Sequence, residues 1–372
     1  MMTAAFSPRC VLVTGGAGFI GVNFVRWVLA QDPGVVVVNL DLLTYAGNLE
    51  SLDDVFRRHG PSGDGRHYFI RADIRDFKTV RSVLAGEASE TPAPNRKARP
   101  VPAPDAVVHM AAESHVDRSI MGPAVFVETN VQGTLTLLEA CRGELTRTGR
   151  PFRLLHVSTD EVYGSLSETD LAFSETTALA PNSPYSASKA GSDLLVRAYG
   201  ETFDFPALIT RCSNNYGPYQ FPEKLIPLMI TRALADQPLP VYGDGQNVRD
   251  WLFVTDHAAA LWQALCNGRL GEIYNIGGEA ERRNLDVVRK LLALLGKPDT
   301  LIRFVTDRPG HDRRYAMNTT KARTDLKWEP TKGFEDGLAA TVSWYLEHRV
   351  WWERVLTEAY RASSTMYLKD VG

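Results

Sequence analysis

The sequence predicts an α/β protein with a doubly wound parallel sheet and a smaller, mixed α/β domain after it. Three observations support this fold class. Apolar runs of strand length alternate with helical patterns from residue 10 to residue 212, and a glycine-rich turn follows the first run. Beyond residue 212 the alternation fades into short segments separated by Gly/Pro-containing loops. We therefore predict a first domain over residues 1–212 and a second mainly over 213–372, with segments around 240–275 returning to the first.

Composition excludes several classes of protein. The 372 residues carry a formal net charge of −3, so no basic excess is available for general nucleic-acid binding. Four scattered cysteines predict neither a metal site nor a disulfide framework. No apolar run approaches the roughly 20 residues that span a bilayer, and residues 1–8 lack the apolar core of a signal peptide. We expect a cytoplasmic protein that contacts neither membrane nor nucleic acid.

The first elements have the order of a Rossmann dinucleotide-binding unit. The run at residues 10–14 leads into Gly15, Gly18 and Gly21, then a helical pattern, then a second run that ends in Asp41. Glycines let a pyrophosphate approach a helix N-terminus, where free N–H groups favour an anion. An acid at Asp41 favours NAD over NADP, because a 2′-phosphate would meet like charge. The alternative is a turn that only packs helix and strand closely.

Several neighbouring features leave alternatives open. Asp73 either contacts the adenine or caps the helix that follows. Residues 86–104, with five prolines, predict an exposed mobile loop whose Arg96, Lys97 and Arg99 are solvated. His115 follows a strand end, where a structural role is favoured over a catalytic one.

Two adjacent carboxylates, Asp160 and Glu161, follow Thr159 at the end of the apolar run 152–157. In an open α/β sheet, ligands bind at the carboxyl ends of the strands. Neighbouring side chains on a regular strand point to opposite faces. If both carboxylates act on one substrate, the strand must break at or just after Thr159.

Tyr185 and Lys189 are four residues apart, which places them on one face of a helix. Ser183 and Pro184 before them are typical of a helix N-cap and first position. A neighbouring ammonium would lower the pKa of the phenol, so that Tyr185 could act as acid or base on a hydroxyl being oxidised. The alternative, a surface pair, is disfavoured after a complete dinucleotide motif.

Arginines recur in three later loops, at Arg249, at Arg282 and Arg283, and at Arg308. Each alone is most simply surface charge, but guanidinium groups can clamp phosphates bidentately. Together they favour an anionic substrate. The helical tail at 334–355 carries Trp344, Trp351 and Trp352, which we expect to pack.

With its glycine turn and the pair Tyr185 and Lys189, the chain resembles the extended short-chain dehydrogenase/reductases that act on nucleotide sugars, and within them the dTDP-glucose 4,6-dehydratases. The similar segments are DLLTYAGN from Asp41, HMAAESHVDRSI from His109, STDEVYG from Ser158, SPYSASKA from Ser183, CSNNYGPYQFPEKLIP from Cys212, VRDWLFVTDH from Val248 and DRPGHDRRYA from Asp307. The insertion at 86–104 and Arg211, an asparagine in some relatives, depart from the family pattern.

The resemblance implies a bound NAD+, a sugar-nucleotide substrate and a homodimer formed through helices at 125–141 and 185–203. By motif, the NAD site would include Gly15, Gly18, Phe19, Ile20, Gly21, Asp41, Leu42, Thr44, Asp73, Ile74, Ala111, Ala112, Thr129, Tyr185, Lys189 and Asn215. The substrate site would include Ser114, Thr159, Asn214, Lys224, Leu225, Tyr242, Arg249, Asn284, Arg308 and His311. Arg249 and Arg308 would bind the diphosphate, and residues 240–242 the thymine.

The resemblance also implies a dehydration by internal redox, from dTDP-glucose to dTDP-4-keto-6-deoxyglucose. Tyr185 would take the 4-hydroxyl proton, with Thr159 and Lys189 supporting the new 4-keto group. Glu161 would then remove the C5 proton, and Asp160 would protonate the departing 6-hydroxyl. The alternatives are a 4-epimerase, a UDP-sugar 4,6-dehydratase, a uronic-acid decarboxylase or a catalytically silent NAD-binding regulator.

Overall fold

The computed structural model of the chain describes residues 6–91 and 98–363, with side chains as far as residue 357. Its strands are β1 (Cys10–Thr14), β2 (Val36–Asp41), β3 (His67–Arg71), β4 (Ala106–His109), β5 (Arg153–Thr159), β6 (Ala207–Cys212), β7 (Asn214–Tyr216), β8 (Leu239–Tyr242), β9 (Val248–Phe253), β10 (Ile273–Ile276), β11 (Glu281–Arg283) and β12 (Ile302–Val305). Its α-helices are α1 (Phe19–Gln31), α2 (Asp53–His59), α3 (Phe77–Ala85), α4 (Val116–Met121), α5 (Ala124–Phe126), α6 (Gly133–Thr148), α7 (Pro184–Phe203), α8 (Leu225–Leu234), α9 (Val254–Asn267), α10 (Asn284–Leu295), α11 (Phe334–Glu347) and α12 (Arg349–Ser363).

A seven-stranded parallel sheet organises the fold, in the order β10-β6-β5-β4-β1-β2-β3. Side chains alternate between its faces, as the period of a strand requires. From β1, Val11 and Val13 pack with α1 and α9, whereas Leu12 packs on the other face with α3 and α6. Helices therefore cover both faces, and the predicted doubly wound fold class is confirmed.

A second group of elements surrounds a separate apolar core. It contains the three-stranded sheet β11-β9-β7 and the parallel pair β12-β8. Trp251, Val288 and Phe334 lie in this core, which also includes Trp352 of the helical tail. The tail tryptophans pack, as predicted. Strands β7, β8 and β9 belong to this second group, whereas β10, which follows them in the chain, belongs to the seven-stranded sheet. The chain therefore crosses between the two groups more than once.

One prediction about the first part of the chain is wrong, and one of two open alternatives for Asp73 is excluded. Arg99 is not simply solvated: its guanidinium binds the buried Glu90 carboxylate at 2.8 Å and lies 4.0 Å from the Tyr68 ring centroid. Asp73 does not cap α3, because Asp76 accepts the Lys78 and Thr79 backbone N–H groups there. Residues 92–97 of the predicted loop, with Arg96 and Lys97, lie outside the described residues.

No helix in the described ranges is long and apolar enough to cross a membrane.

We predict that Asp256→Ala lowers the free energy of unfolding by about 1–3 kcal/mol, since a charged acceptor of several hydrogen bonds is lost. The Asp256 carboxylate on α9 accepts bonds from the Thr331 N–H and hydroxyl, at 3.1 and 2.7 Å, and from the Lys332 N–H at 2.9 Å. Urea-induced unfolding followed by tryptophan fluorescence measures the change.

Glu201→Ala is the matched control. Glu201 pairs with Arg197 at 3.8 Å with both side chains largely exposed, so its loss should change stability by under about 0.5 kcal/mol. Equal effects of the two variants would contradict the role assigned to Asp256.

Candidate active site

The glycine turn after β1 fits only glycine at two positions. Gly15 has φ of +75°, and a Cβ there would lie 2.7 Å from the Ala111 backbone nitrogen. A Cβ on Gly21 would lie 2.2 Å from the Gly15 carbonyl oxygen. The turn opens α1, whose first N–H groups meet no side-chain cap. A helix N-terminus left in this state can bind an anion through its backbone.

Asp41 ends β2 beside this turn. One carboxylate oxygen accepts the Ala17 N–H at 3.0 Å, and the other accepts the Leu43 N–H at 2.8 Å. Burial raises the pKa of Asp41, and these two bonds oppose the effect. Each oxygen keeps a lone pair, so the carboxylate can also accept from a ligand hydroxyl.

The other predicted cofactor residues stand at successive carboxyl ends of the large sheet or on elements next to them. Ala111 and Ala112 follow β4, and the Ala111 N–H donates to the Thr14 hydroxyl at 3.3 Å. The remaining positions are Phe19 and Ile20 in the first turn of α1, Leu42 and Thr44 after β2, Asp73 and Ile74 after β3, Thr129 in the π-helical segment Val127–Gln132, and Asn215 in β7. Asp73 is held by Arg75 at 2.7 Å.

The strand β5 ends at Thr159, and the 3-10 turn Asp160–Tyr163 begins directly after it. The predicted break in the strand is therefore confirmed. The Thr159 hydroxyl caps this turn: its oxygen accepts the Glu161 N–H at 3.3 Å, and it donates to the Asp160 carboxylate at 3.2 Å. The cap fixes the Asp160 carboxylate and the Glu161 backbone at one hydroxyl.

The two carboxyl groups share a buried setting but differ in their neighbours. Burial raises the pKa of Asp160 well above its ordinary value, and the charges of Glu161 and Asp250 raise it further. Burial also raises the pKa of Glu161, but the cations Arg308, Lys224 and Arg249 oppose that rise. Asp160 is thus the more readily protonated of the pair, and its second oxygen has no partner among the described residues.

Tyr185 and Lys189 lie where the helix signals predict. A capping box of Ser183 and Ser186 starts α7, with Pro184 at its first position. Both functional side chains are buried. The Lys189 ammonium donates to the Val157 carbonyl at 2.8 Å, and the Thr159 hydroxyl acts to lower the pKa of Tyr185.

The expected lowering of the Tyr185 pKa by Lys189 is wrong for the protein alone. Burial and the negative charge of Glu161 raise this pKa well above its ordinary value. Lys189 is engaged by a strand carbonyl, and its own pKa is lowered by burial. An additional positive charge would be needed to favour the phenolate.

Cationic and aromatic groups from the second group of elements face this corner. The buried Arg249 donates to the Val248 and Asp312 carbonyls, and its guanidinium lies 4.2 Å from the Tyr315 ring centroid. Arg308 lies 3.5 Å from the Asp117 carboxylate. Both arginines act to lower the pKa of Glu161.

The other predicted substrate residues occupy loops and element ends. Lys224 donates to the Ser114 carbonyl at 2.9 Å, and His311 contacts Asp307 at 2.6 Å. The remaining positions are Asn214 at the start of β7, Leu225 at the start of α8, Tyr242 at the end of β8 and Asn284 at the start of α10. Arg282 has the surface position expected of a single arginine: it pairs with the exposed Glu335 at 3.2 Å, and its guanidinium lies 5.3 Å from the Phe334 ring centroid.

Sequence reasoning missed two acids that hold the cationic groups. Asp117 contacts both Arg308 and Tyr242. Asp312 accepts Arg249 through its carbonyl and the Tyr315 phenol through its carboxylate, at 2.5 Å. Both acids lie in segments that resemble the known family, and this resemblance was the only feature of the sequence that pointed to them.

Comparisons with known proteins agree with this geometry. The family model described as GDP-mannose 4,6 dehydratase matches residues 12–341. A dTDP-glucose 4,6-dehydratase of Xanthomonas campestris pv. campestris (strain B100) is 54% identical over 363 residues, covering 94% of this chain and 97% of the relative. The chain belongs to the dTDP-glucose 4,6-dehydratase family.

Solved structures of this family have the same fold. The enzyme from Streptomyces venezuelae, solved with NAD bound, has a TM-score of 0.83 and 48% identity, covering 93% of this chain and 99% of that one. The enzyme from Bacillus anthracis in complex with NAD has a TM-score of 0.80 and 45% identity, with the same coverage.

We predict that Gly15→Ala destabilises the protein by more than about 1 kcal/mol, because it combines a positive φ with a backbone clash. Gly143→Ala is the control: it lies within α6, and an added Cβ there meets nothing within 4 Å. That variant should gain roughly 0.5–1 kcal/mol from helix propensity. Chemical denaturation compares the two, and a neutral Gly15→Ala would contradict the tight turn.

Proposed function

We propose that this chain is a hydro-lyase that converts dTDP-glucose to dTDP-4-keto-6-deoxyglucose, with tightly bound NAD+ as its cofactor. The observation that carries this proposal is the pair Asp160 and Glu161, held together at the broken end of β5 by the Thr159 hydroxyl. The same hydroxyl acts to lower the pKa of the buried Tyr185 phenol. An acid, a base and an oxidation group thus converge on one buried corner.

The residues around the glycine turn fit a dinucleotide. Gly15 and Gly21 leave no room for a side chain, the start of α1 offers uncapped N–H groups, and Asp41 offers acceptor lone pairs. These groups would hold the pyrophosphate and the adenosine ribose. When bound, NAD+ would supply a reversible hydride acceptor for the sugar and a positive charge that favours the Tyr185 phenolate.

The first chemical task of the protein is to take the proton from the sugar 4-hydroxyl. Tyr185, as phenolate, is the base for this proton. Thr159 and Lys189 surround the developing 4-keto oxygen with donors, which stabilises the charge that forms there. The buried setting strengthens each of these electrostatic interactions.

The second task is elimination of water across C5 and C6. The new ketone acidifies the C5 hydrogen, and Glu161 removes it as a carboxylate. Asp160 donates its proton to the departing 6-hydroxyl, which leaves as water. The different surroundings of the two carboxyl groups supply one charged and one neutral form at the same pH.

The substrate diphosphate would be bound by Arg249 and Arg308, whose positions are fixed by the Asp312 carbonyl and the Asp117 carboxylate. Planar guanidinium groups suit phosphate oxygens. We assign the thymine to residues 240–242, and the remaining sugar-nucleotide contacts to Ser114, Asn214, Lys224, Leu225, Asn284 and His311. Preference for thymine over uracil rests on the family relationship.

The alternative functions explain the site less well. A 4-epimerase would use Tyr185 but needs no acid–base pair for elimination. A catalytically silent regulator would have no need for all five of these residues together: Thr159, Asp160, Glu161, Tyr185 and Lys189. A decarboxylase would need a uronic-acid substrate and no proton donor at the position of Asp160.

We further propose a cytoplasmic homodimer. The four cysteines of the chain are free thiols, which suits a reducing compartment. Val127 and Leu135 near α6, and Leu194 and Phe203 on α7, are large apolar side chains that remain exposed on helices we assign to the interface. We assign NAD binding mainly to residues 1–212, with Asn215 just beyond them, and sugar-nucleotide binding mainly to 213–372.

Incubation with dTDP-glucose in deuterated water tests the proposed reaction. We expect loss of one water, one solvent deuterium at C5 and transfer of the C4 hydrogen to C6, measured by mass spectrometry and NMR. Inversion at C4 without loss of water would instead identify an epimerase.

We predict that Asp160→Asn still forms enzyme-bound NADH but eliminates water about 10²–10⁴-fold more slowly, because the amide cannot protonate the leaving hydroxyl. Stopped-flow absorbance of NADH and quenched-flow product analysis separate the two steps. Asp170→Asn, a change on an exposed loop acid, should leave both rates unchanged. Unaltered elimination in Asp160→Asn would remove this residue from the mechanism.

A further inference from the structure

Residues 218–224, which we call the linking segment, connect residues assigned to both ligands, and the role inferred for them rests on the proposed function. Asn214 and Asn215 precede the segment in β7, and Lys224 ends it just before α8. Asn215 is assigned to the cofactor, whereas Asn214 and Lys224 are assigned to the sugar nucleotide. A side chain of this segment that also contacts other cofactor or substrate loops would therefore affect both ligands.

Glu223 is such a side chain. One of its carboxylate oxygens accepts the Tyr45 hydroxyl at 3.0 Å. Tyr45 lies in the loop after β2, next to the predicted cofactor residue Thr44. The other carboxylate oxygen lies 3.8 Å from Nε2 of His115, which ends the loop after β4, and only 12% of the Glu223 side chain is exposed. Three loops thus meet at one nearly buried carboxyl group.

The Tyr45 ring is held by two further contacts. The Arg118 guanidinium of α4 lies 3.6 Å from the ring centroid. The Phe221 ring of the linking segment packs edge-to-face against Tyr45, with 5.7 Å between the ring centroids. The loop after β2 is therefore joined to the linking segment both by the ring and by the hydroxyl of Tyr45.

The residue after Glu223 extends this connection to the substrate side. The Lys224 ammonium donates to the Ser114 carbonyl at 2.9 Å. Ser114 and Lys224 are both assigned to the sugar nucleotide, and Ser114 follows the cofactor residues Ala111 and Ala112 on the same loop. A displacement of the linking segment would therefore change the surroundings of both ligands.

The other end of the linking segment is bonded to the start of α1. The buried Asn23 side chain donates to the Phe19 carbonyl at 2.9 Å and to the Pro218 carbonyl at 3.0 Å. The Gln220 side chain donates to the Asn215 carbonyl at 3.0 Å. Phe19 and Asn215 are both assigned to the cofactor, so the segment is bonded to cofactor-binding elements at each of its ends.

The middle of the linking segment is fixed by aromatic contacts. Tyr219 has φ of +66°, a left-handed conformation that is unfavourable for a residue with a bulky side chain. Its ring centroid lies 4.5 Å from the Arg26 guanidinium of α1 and 4.7 Å from the Trp344 ring centroid of α11. Backbone strain of this kind persists only where the surroundings hold it. These contacts make the segment a rigid connection rather than a flexible loop.

We propose that Glu223 is a positioning residue that couples the binding of NAD+ to the binding of the sugar nucleotide. Its hydrogen bond with Tyr45 joins the loop after β2 to the linking segment, and it acts without contacting either ligand. Each ligand orders a part of the chain that the other also uses, so each is bound more tightly when the other is present. Because such coupling is reciprocal, it also retains the cofactor while the substrate is bound.

Binding of dTDP-glucose with and without saturating NAD+, measured by isothermal titration calorimetry, tests the coupling. Every protein in the series carries Tyr185→Phe, which removes the proposed base so that the substrate binds without reacting. In this parent protein we expect NAD+ to lower the Kd of dTDP-glucose about fivefold or more. Adding Tyr45→Phe removes the hydroxyl but keeps the ring that Arg118 and Phe221 contact. We expect this change to reduce the factor to below about twofold.

Tyr274→Phe in the same parent is the matched control. The Tyr274 phenol accepts the Arg269 N–H at 3.0 Å near the amino end of β10, whereas the site lies at the carboxyl ends of the strands. This change should leave the factor at its parent value. If the Tyr45 contact only stabilises the fold, Tyr45→Phe would weaken binding equally with and without NAD+. Such an unchanged factor overturns the coupling.

Substitutions at Glu223 test the same bond from its other side. Glu223→Gln keeps an oxygen that can accept the Tyr45 hydroxyl and should retain most of the factor, whereas Glu223→Ala should lose it. Combining Glu223→Ala with Tyr45→Phe should lower the factor no further than either change alone, because both remove one bond. Independent, additive losses in the combined variant would overturn the role assigned to Glu223.

The parent protein keeps the test valid if a variant does not fold. A Kd of dTDP-glucose that is the same in the parent with and without NAD+ overturns the coupling directly. Failure of the proposed function has a different signature: the wild-type protein would form neither NADH nor water from dTDP-glucose, whatever the factor measured in the parent.

Discussion

The end of β5 at Thr159 is the constraint on which the site depends. A strand that continued would send Asp160 and Glu161 to opposite faces of the sheet. The Thr159 side chain prevents this, because it caps the 3-10 turn that follows and binds both new residues, one through its backbone N–H and one through its carboxylate. One hydroxyl therefore fixes the start of the turn that carries both acidic residues.

The surroundings of this turn decide the chemistry of the two carboxyl groups. Burial alone would favour the neutral form of both. Cations from three separate elements act on Glu161, whereas Asp160 faces the acids Glu161 and Asp250. The arginines can remain buried because carbonyls and carboxylates hold them, as Asp312 and Asp117 do for Arg249 and Arg308. The second group of elements thus contributes charge as well as contacts.

Patterns that are local in sequence predicted the structure well. The glycine turn, Asp41 after β2 and the capped start of α7 each depend on backbone geometry within a few residues, so they could be read without the fold. Errors arose where a side chain found a distant partner. Arg99 binds Glu90, and the raised pKa of Tyr185 follows from a burial that no local pattern reports.

The sequence by itself determined the fold class, the position of the nucleotide turn and the residue types of the catalytic set, because each follows from periodicity, from turn chemistry or from a family motif. Only the tertiary structure decided which acid is the more readily protonated, which cations act on Glu161 and how deeply Tyr185 is buried. These properties depend on distances and desolvation between residues far apart in the chain. Such quantities exist only once the strands are paired and the helices packed.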